Sequence, residues 1–224
     1  VTESWKTNTM DEAGFGMEGI AELYLGTGDP RIAEIGRKYI DQLIRYFEMP
    51  DGTWARNYFR HSRLVEPPFD LTRGAGWAMM GISSAARMGL GEEYLEKCRR
   101  MASVLMKYQN EDGSWWYRFS EADPVNGIAE KGTAVWTVMF YRLYKMMGDT
   151  QYLETARKGL SWLINSQYKG ADRDGRGGVP VSGPMSGVSY RPFFRMACQY
   201  TAGFLGLALM EELSLESRDN EKKG

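Results

Sequence analysis

Histidine occurs once in the 224 residues, at His61, and cysteine only twice, at Cys98 and Cys198. That scarcity excludes the tetrahedral zinc sites that Cys and His assemble together. A carboxylate-held calcium is the one metal reading left open, and neither a metal nor another cofactor is expected. The two cysteines sit far apart inside apolar helical patterns, where a free thiol behaves as a small hydrophobe. Charge of one sign is missing too. Lys and Arg number 28 against 29 Asp and Glu, a balance that gives no pull toward nucleic acid or an anionic membrane. No apolar run approaches the roughly 20 residues needed to span a bilayer. The opening VTESWKTNTM has no basic stretch followed by an apolar one, so no signal peptide is visible and a cytoplasmic location is favoured. It also lacks an initiator Met, which fits a processed chain or one part of something longer.

What the chain does have is internal repetition. Three segments share an order: an apolar helix flanked by glycine, a short Gly-containing turn, an amphipathic helix, then a long polar loop. The first helices read GFGMEGIAELYLGTGD (14–29), GAGWAMMGISSAARMGLGEE (74–93) and GTAVWTVMFYRLYKMMGDT (132–150). The second helices cover 30–47, 93–109 and 151–167. Asp51-Gly52, Asp112-Gly113 and Asp174-Gly175 follow them at intervals of 61 and 62. A fourth first-helix (197–215) ends the ordered part, and ESRDNEKKG (216–224) reads as a disordered, solvated tail. The repeats fall at about 11–72, 73–130 and 131–193, with a half repeat at 194–215, all within one domain over 1–215.

Periodicity separates the two helix types. Tyr94, Cys98, Met101, Val104, Leu105 and Tyr108 recur every three or four residues with charges between them, the pattern of a half-buried helix. The first helices are apolar on nearly all sides, as a helix covered all round must be. Alternation of the two predicts an all-α fold of antiparallel α-hairpins in an inner and an outer layer, an (α/α) toroid or an arc of one. The turns inside hairpins are short, so the long loops (48–73, 110–130, 168–193) share one face with the N-termini of the inner helices. A site is expected there.

These loops mix aromatics, carboxylates and arginines, which suits a saccharide: sugar C–H faces stack on aromatic rings, while hydroxyls need polar partners. Loop one uses Arg four times and Lys not at all, and the guanidinium fork grips carboxylates in pairs. That favours an acidic sugar such as a uronic acid. Arg56, Arg60, Trp116, Tyr117, Arg176 and Arg191 are the candidate binding residues. Candidate catalytic residues are Asp172 and Asp174 in GADRDGRGG, Glu130, His61 and Tyr190. Paired carboxylates serve glycosidic cleavage, and a base with a cation serves elimination or epimerisation at a uronic acid. The blander readings stay open: Asp172 and Asp174 as turn residues, Glu130-Lys131 as a helix-start pair, His61 as a surface or binding residue. Trp54 and Trp115 occupy one place in the repeat and are expected to pack each turn against a helix.

LMKYQNEDGSW (105–115) resembles the repeat of terpenoid cyclases, in which Gln precedes Gly-x-Trp; here these are Gln109, Gly113 and Trp115. Phe47 stands where the first repeat would carry its Gln. The chain of hairpins resembles the α/α-toroid superfamily: six-hairpin glycosidases, unsaturated glucuronyl hydrolases and polysaccharide lyases. GGVPVSGPMSGVSYRP (177–192) is similar to the helical domain of glucuronyl C5-epimerases. The resemblance implies a protein that processes an oligo- or polysaccharide by hydrolysis, lysis or epimerisation. A non-catalytic glycan-binding or assembly module and a terpenoid-cyclase-like enzyme are the rivals. Asp-x-Asp-Asp of the squalene–hopene cyclases is absent. Three and a half hairpins fall short of six, which leaves a homo-oligomer or a missing N-terminal portion to complete the ring.

Overall fold

The computed structural model describes residues 7–50, 52–55, 57–59, 62–66, 74–116, 128–171, 173, 176–179 and 199–221. Its helices are α1 (Met10–Thr27), α2 (Pro30–Phe47), α3 (Gly74–Arg87), α4 (Glu92–Lys107), α5 (Glu130–Met147), α6 (Thr150–Ser166) and α7 (Gln199–Glu221). Three strands of three residues each, β1 (Thr7–Thr9), β2 (Asn57–Phe59) and β3 (Leu64–Glu66), form an antiparallel sheet in the order β1-β2-β3. The chain packs as two units, 1–107 and 108–224.

Short Gly-Asp turns join α1 to α2 and α5 to α6, for a local reason. Gly28 and Gly148 take positive φ, which ends the preceding helix. The next residue then caps the following helix: Asp29 accepts from the Arg31 amide and Asp149 from the Gln151 amide, both at 2.9 Å. Pro30 opens α2, where its missing N–H costs nothing.

In the first unit α1 lies against α3, and α2 and α4 pack behind them. The α1–α3 approach is close because Gly14 meets the Trp77 backbone carbonyl where a side chain would have to go. Phe15 and Trp77 place ring centroids 4.5 Å apart, and Ser84 donates to Glu18 at 2.6 Å. Residues 75–85 of α3 are all buried. In α4, Tyr94, Cys98, Met101, Ala102 and Leu105 are buried, and each large apolar side chain so covered contributes about 1.5–3 kcal/mol. Burial pushes the Cys98 thiol up to about 12, which keeps it protonated.

In the second unit α5 packs on α6 and α7. Residues 132–141 of α5 are buried throughout. Gly159 of α6 allows the approach, since a side chain there would meet the Thr137 hydroxyl. Ion pairs join α7 to its neighbours through Arg157–Glu212 at 2.7 Å and Lys145–Glu211. The α7 helix runs to Glu221, so the expected tail from 216 is helical for six more residues.

The turn after each second helix is built alike, with one change of position. Glu48 pairs with Trp54 and Gln109 with Trp115, each as a single antiparallel bridge. Glu48, not Phe47, therefore stands where the first repeat would carry Gln. Gly52 N–H donates to Met49 O and Gly113 N–H to Asn110 O. The third turn makes the corresponding bonds across a longer span of nine residues, with Gly177 N–H donating to Tyr168 O and Tyr168 N–H to Gly178 O. Gly177, at φ +85°, holds the place that the sequence assigns to Gly175. Asp174 and Gly175 lie outside the described residues.

Two of these glycines separate backbone strain from collision. Gly113 has φ +94° and faces the Lys158 carbonyl, whereas Gly177 has φ +85° and open space around it. Gly177→Ala is expected to cost about 1 kcal/mol of strain. Gly113→Ala is expected to cost roughly 2–3 kcal/mol, because the backbone of α6 must also move. Urea unfolding of the two variants measures the difference; equal losses would remove the collision.

Candidate active site at the start of α5

Trp115 is the anchor of the site. Its side chain is wholly buried and stacks on Phe140, with centroids 5.9 Å apart and planes 8° from parallel. Its amide donates to the Thr133 hydroxyl at 3.1 Å, and its carbonyl accepts from the Ala129 amide at 2.9 Å. Thr133 N–H donates to Ala129 O at 2.7 Å, closing the first turn of α5. Gln109 fixes the other side of the turn. Its amide donates to Gly113 O at 3.1 Å and to Thr155 O at 3.0 Å. Asp112 accepts from the amide (2.9 Å) and hydroxyl (2.7 Å) of Ser114. Gln109, Asp112 and Trp115 are thus structural, as is the buried Trp54 in the first unit.

Trp116 comes next and behaves differently. It pairs with Ile128 as an antiparallel bridge and is only half-buried. The 115–116 segment therefore lies beside 128–129, immediately before Glu130. Both ends of this clamp carry side chains of use in chemistry: the Trp116 indole at one, the Glu130 carboxyl at the other.

Glu130 is the first residue of α5, and no side chain caps the helix at Ala129. Burial pushes its carboxyl up to about 8, against the opposing pull of its own backbone amide and of Lys131. A helix N-terminus by itself holds a carboxylate ionised; here desolvation outweighs it. A carboxyl protonated at neutral pH can give a proton to a departing oxygen. The opening of a buried helix thus carries a protonated carboxyl two residues beyond the backbone bridge of Ile128 with Trp116.

Arg176, the other described candidate, stands exposed in the third turn of the same unit. Asp172, Asp174, His61, Tyr190, Arg56, Arg60, Tyr117 and Arg191 lie outside the described residues. Thr133 and Ile128 escaped the sequence reading. A buried hydroxyl on an otherwise apolar helix was the available signal for Thr133; nothing local marks Ile128. Among the described residues no group of three or more His, Cys, Asp or Glu is placed to hold a metal, and no helix is long and apolar enough to cross a membrane.

No family model and no curated protein matches the sequence. Solved structures do match the fold. A family 88 glycosyl hydrolase from Bacteroides vulgatus superposes with a TM-score of 0.72 at 19% identity, over 92% of this chain and 62% of its own. The unsaturated glucuronyl hydrolase of Bacillus sp. GL1, responsible for glycosaminoglycan degradation, gives 0.71 at 14%, over 92% and 58%. A polysaccharide lyase gives 0.70 at 18%, over 93% and 62%. The chain thus spans about three fifths of the length of these proteins. Its repeated antiparallel hairpins, with apolar and amphipathic helices in separate layers, have the fold of the α/α toroid.

Proposed function

We propose that this chain processes a uronic-acid-containing oligo- or polysaccharide, with Glu130 as its proton donor. The observation that carries the reading is the Glu130 carboxyl, kept protonated by burial at the opening of a buried helix, two residues beyond the backbone bridge of Ile128 with Trp116. Its fold is one on which glucuronyl hydrolases and a polysaccharide lyase are built, and fold alone does not decide function. In this reading a sugar ring stacks on Trp116, and Arg176 and Arg191 of the same unit supply guanidinium groups for the uronate. Glu130 protonates the oxygen that leaves C1 or C4. Asp172, Asp174 and Tyr190, in the same unit, are the candidates for the complementary base. The three reaction classes differ in what that base does: it activates water in a hydrolase, and takes the C5 proton in a lyase or an epimerase.

A panel of uronic-acid and neutral oligosaccharides, incubated in heavy water and read by mass spectrometry, tests this. Cleavage with gain of one water is the expected result, since two of the three solved relatives named above are hydrolases. Cleavage without that gain identifies a lyase, and deuterium uptake without cleavage an epimerase. Unchanged, bound oligosaccharide would overturn the enzymatic reading in favour of a glycan-binding module. Turnover of neutral sugars alone would remove the uronate.

A further inference from the structure

Helix α5 starts differently from α2 and α6. Asp29 and Asp149 cap those two helices with their side chains, whereas no side chain caps α5. Its first turn is held by a closed ring of three hydrogen bonds. Trp115 N–H donates to Thr133 Oγ1 at 3.1 Å, Thr133 N–H to Ala129 O at 2.7 Å, and Ala129 N–H to Trp115 O at 2.9 Å. Two of these bonds are made by backbone alone. The Thr133 hydroxyl makes the third, and Glu130 lies in the turn that the ring encloses. Thr133 is fully buried, so water does not replace a bond lost there.

The other repeats show that the fold does not need this hydroxyl. Gly89 and Gly148, both at positive φ, stand twelve residues beyond Trp77 and Trp136 and set the register of α3 against α5. In that register Gly74 holds the place of Thr133, and Leu71 that of Glu130. The first unit buries Trp54 as the second buries Trp115, yet its sequence supplies neither the hydroxyl nor the acid. At the start of α7, Thr201 holds the same place (TAGF against TAVW) and is fully buried, but its hydroxyl has no hydrogen-bond partner among the described residues. Among the described residues the tie is thus made on the helix that begins with Glu130 and on no other inner helix. We propose that Thr133 is a positioning residue for Glu130: its hydroxyl ties the first turn of α5 to Trp115 and so keeps the helix start, with its carboxyl, closed to water. Cutting the tie frees an uncapped helix end to fray, and a hydrated Glu130 ionises as an ordinary glutamate. Among the described residues Lys131 is the charged group acting on Glu130, and none acts from α6 or α7. The inference rests on the proposed role of Glu130 as proton donor.

Carbon NMR of the chain with carboxyl-labelled glutamate reads this ionisation directly, the Glu130 signal being the one missing from Glu130→Gln. Titration is expected to give a midpoint near 8 in the wild type. Thr133→Val removes the acceptor at nearly constant volume and is expected to bring the midpoint below about 6. Thr133→Ser restores the hydroxyl and with it the wild-type midpoint. Thr137→Val deletes another buried hydroxyl one turn along α5, outside the ring; it controls for lost packing and is expected to leave the midpoint unchanged. If Thr133→Val does not fold, Thr133→Cys takes its place, since sulfur accepts only weakly. A midpoint still near 8 without the hydroxyl, or one lowered equally by Thr133→Ser or Thr137→Val, overturns the positioning role and leaves the proposed acid standing. A wild-type midpoint in the ordinary carboxylate range removes the acid, and this inference with it.

Discussion

Replacing Trp115 by alanine is expected to lower the unfolding free energy by about 3–5 kcal/mol, the usual cost of removing a fully buried tryptophan. For a chain of this size that moves Tm down by roughly 10 °C. Two losses coincide, the stack on Phe140 and the contact with Gly159 of α6, while the backbone bonds of residue 115 to Thr133 and Ala129 remain. The neighbouring Trp116→Ala removes a half-buried ring and is expected to cost less than about 1 kcal/mol of stability. It should instead weaken oligosaccharide binding. Thermal unfolding and titration of the two variants separate scaffold from platform. If Trp115→Ala keeps its Tm but loses ligand, the assignments are reversed.

Glu130→Gln is expected to have opposite effects on activity and stability. As a proton donor its loss should lower kcat by a factor of about 10²–10⁴. Stability should rise. The carboxyl is held at about 8 in the fold against an ordinary 4.5, so between these values the unfolded chain is ionised while the fold retains the proton. Below pH 4.5 neither state is charged and the residue costs nothing. As pH rises toward 8 the cost accumulates, then becomes constant. Allowing for its partial exposure, it amounts to about 2 kcal/mol at pH 7. Wild type should therefore lose stability relative to Glu130→Gln from pH 5 to pH 8, and its kcat/KM should fall on the basic side near pH 8. Parallel stability–pH curves for the two proteins would show that Glu130 ionises normally, removing the acid from the proposed mechanism.

Much of this molecule is written in helical periodicity. The amphipathic helices α2, α4 and α6 begin and end within two residues of where apolar spacing puts them, because one buried stripe per helix leaves a regular trace. The features that were illegible lack such a trace. Strands β2 and β3 have three residues each, too few for alternation to register. Gly177 takes the third turn because ADRDGRGG offers several glycines, and the choice among them is made by hydrogen bonds to Tyr168. Residues 216–221 are charged and polar, a composition shared by tails and by helix, and Glu and Arg favour the helix once α7 is anchored. For Glu130 the sequence gives the residue and its place at a helix start. Its protonation depends on how deeply that start is buried, which only the packing of α5 reveals.

The bridge between Trp116 and Ile128 has an evolutionary consequence. Whatever chain connects those two residues leaves and re-enters at adjacent points on a base held by Trp115, Ala129 and Thr133. Lengthening such a connection costs little, roughly 0.6 kcal/mol for each doubling, and leaves the base unmoved. Such a connection can be exchanged like a cassette while Trp115, Ala129, Thr133 and the start of α5 stay where they are.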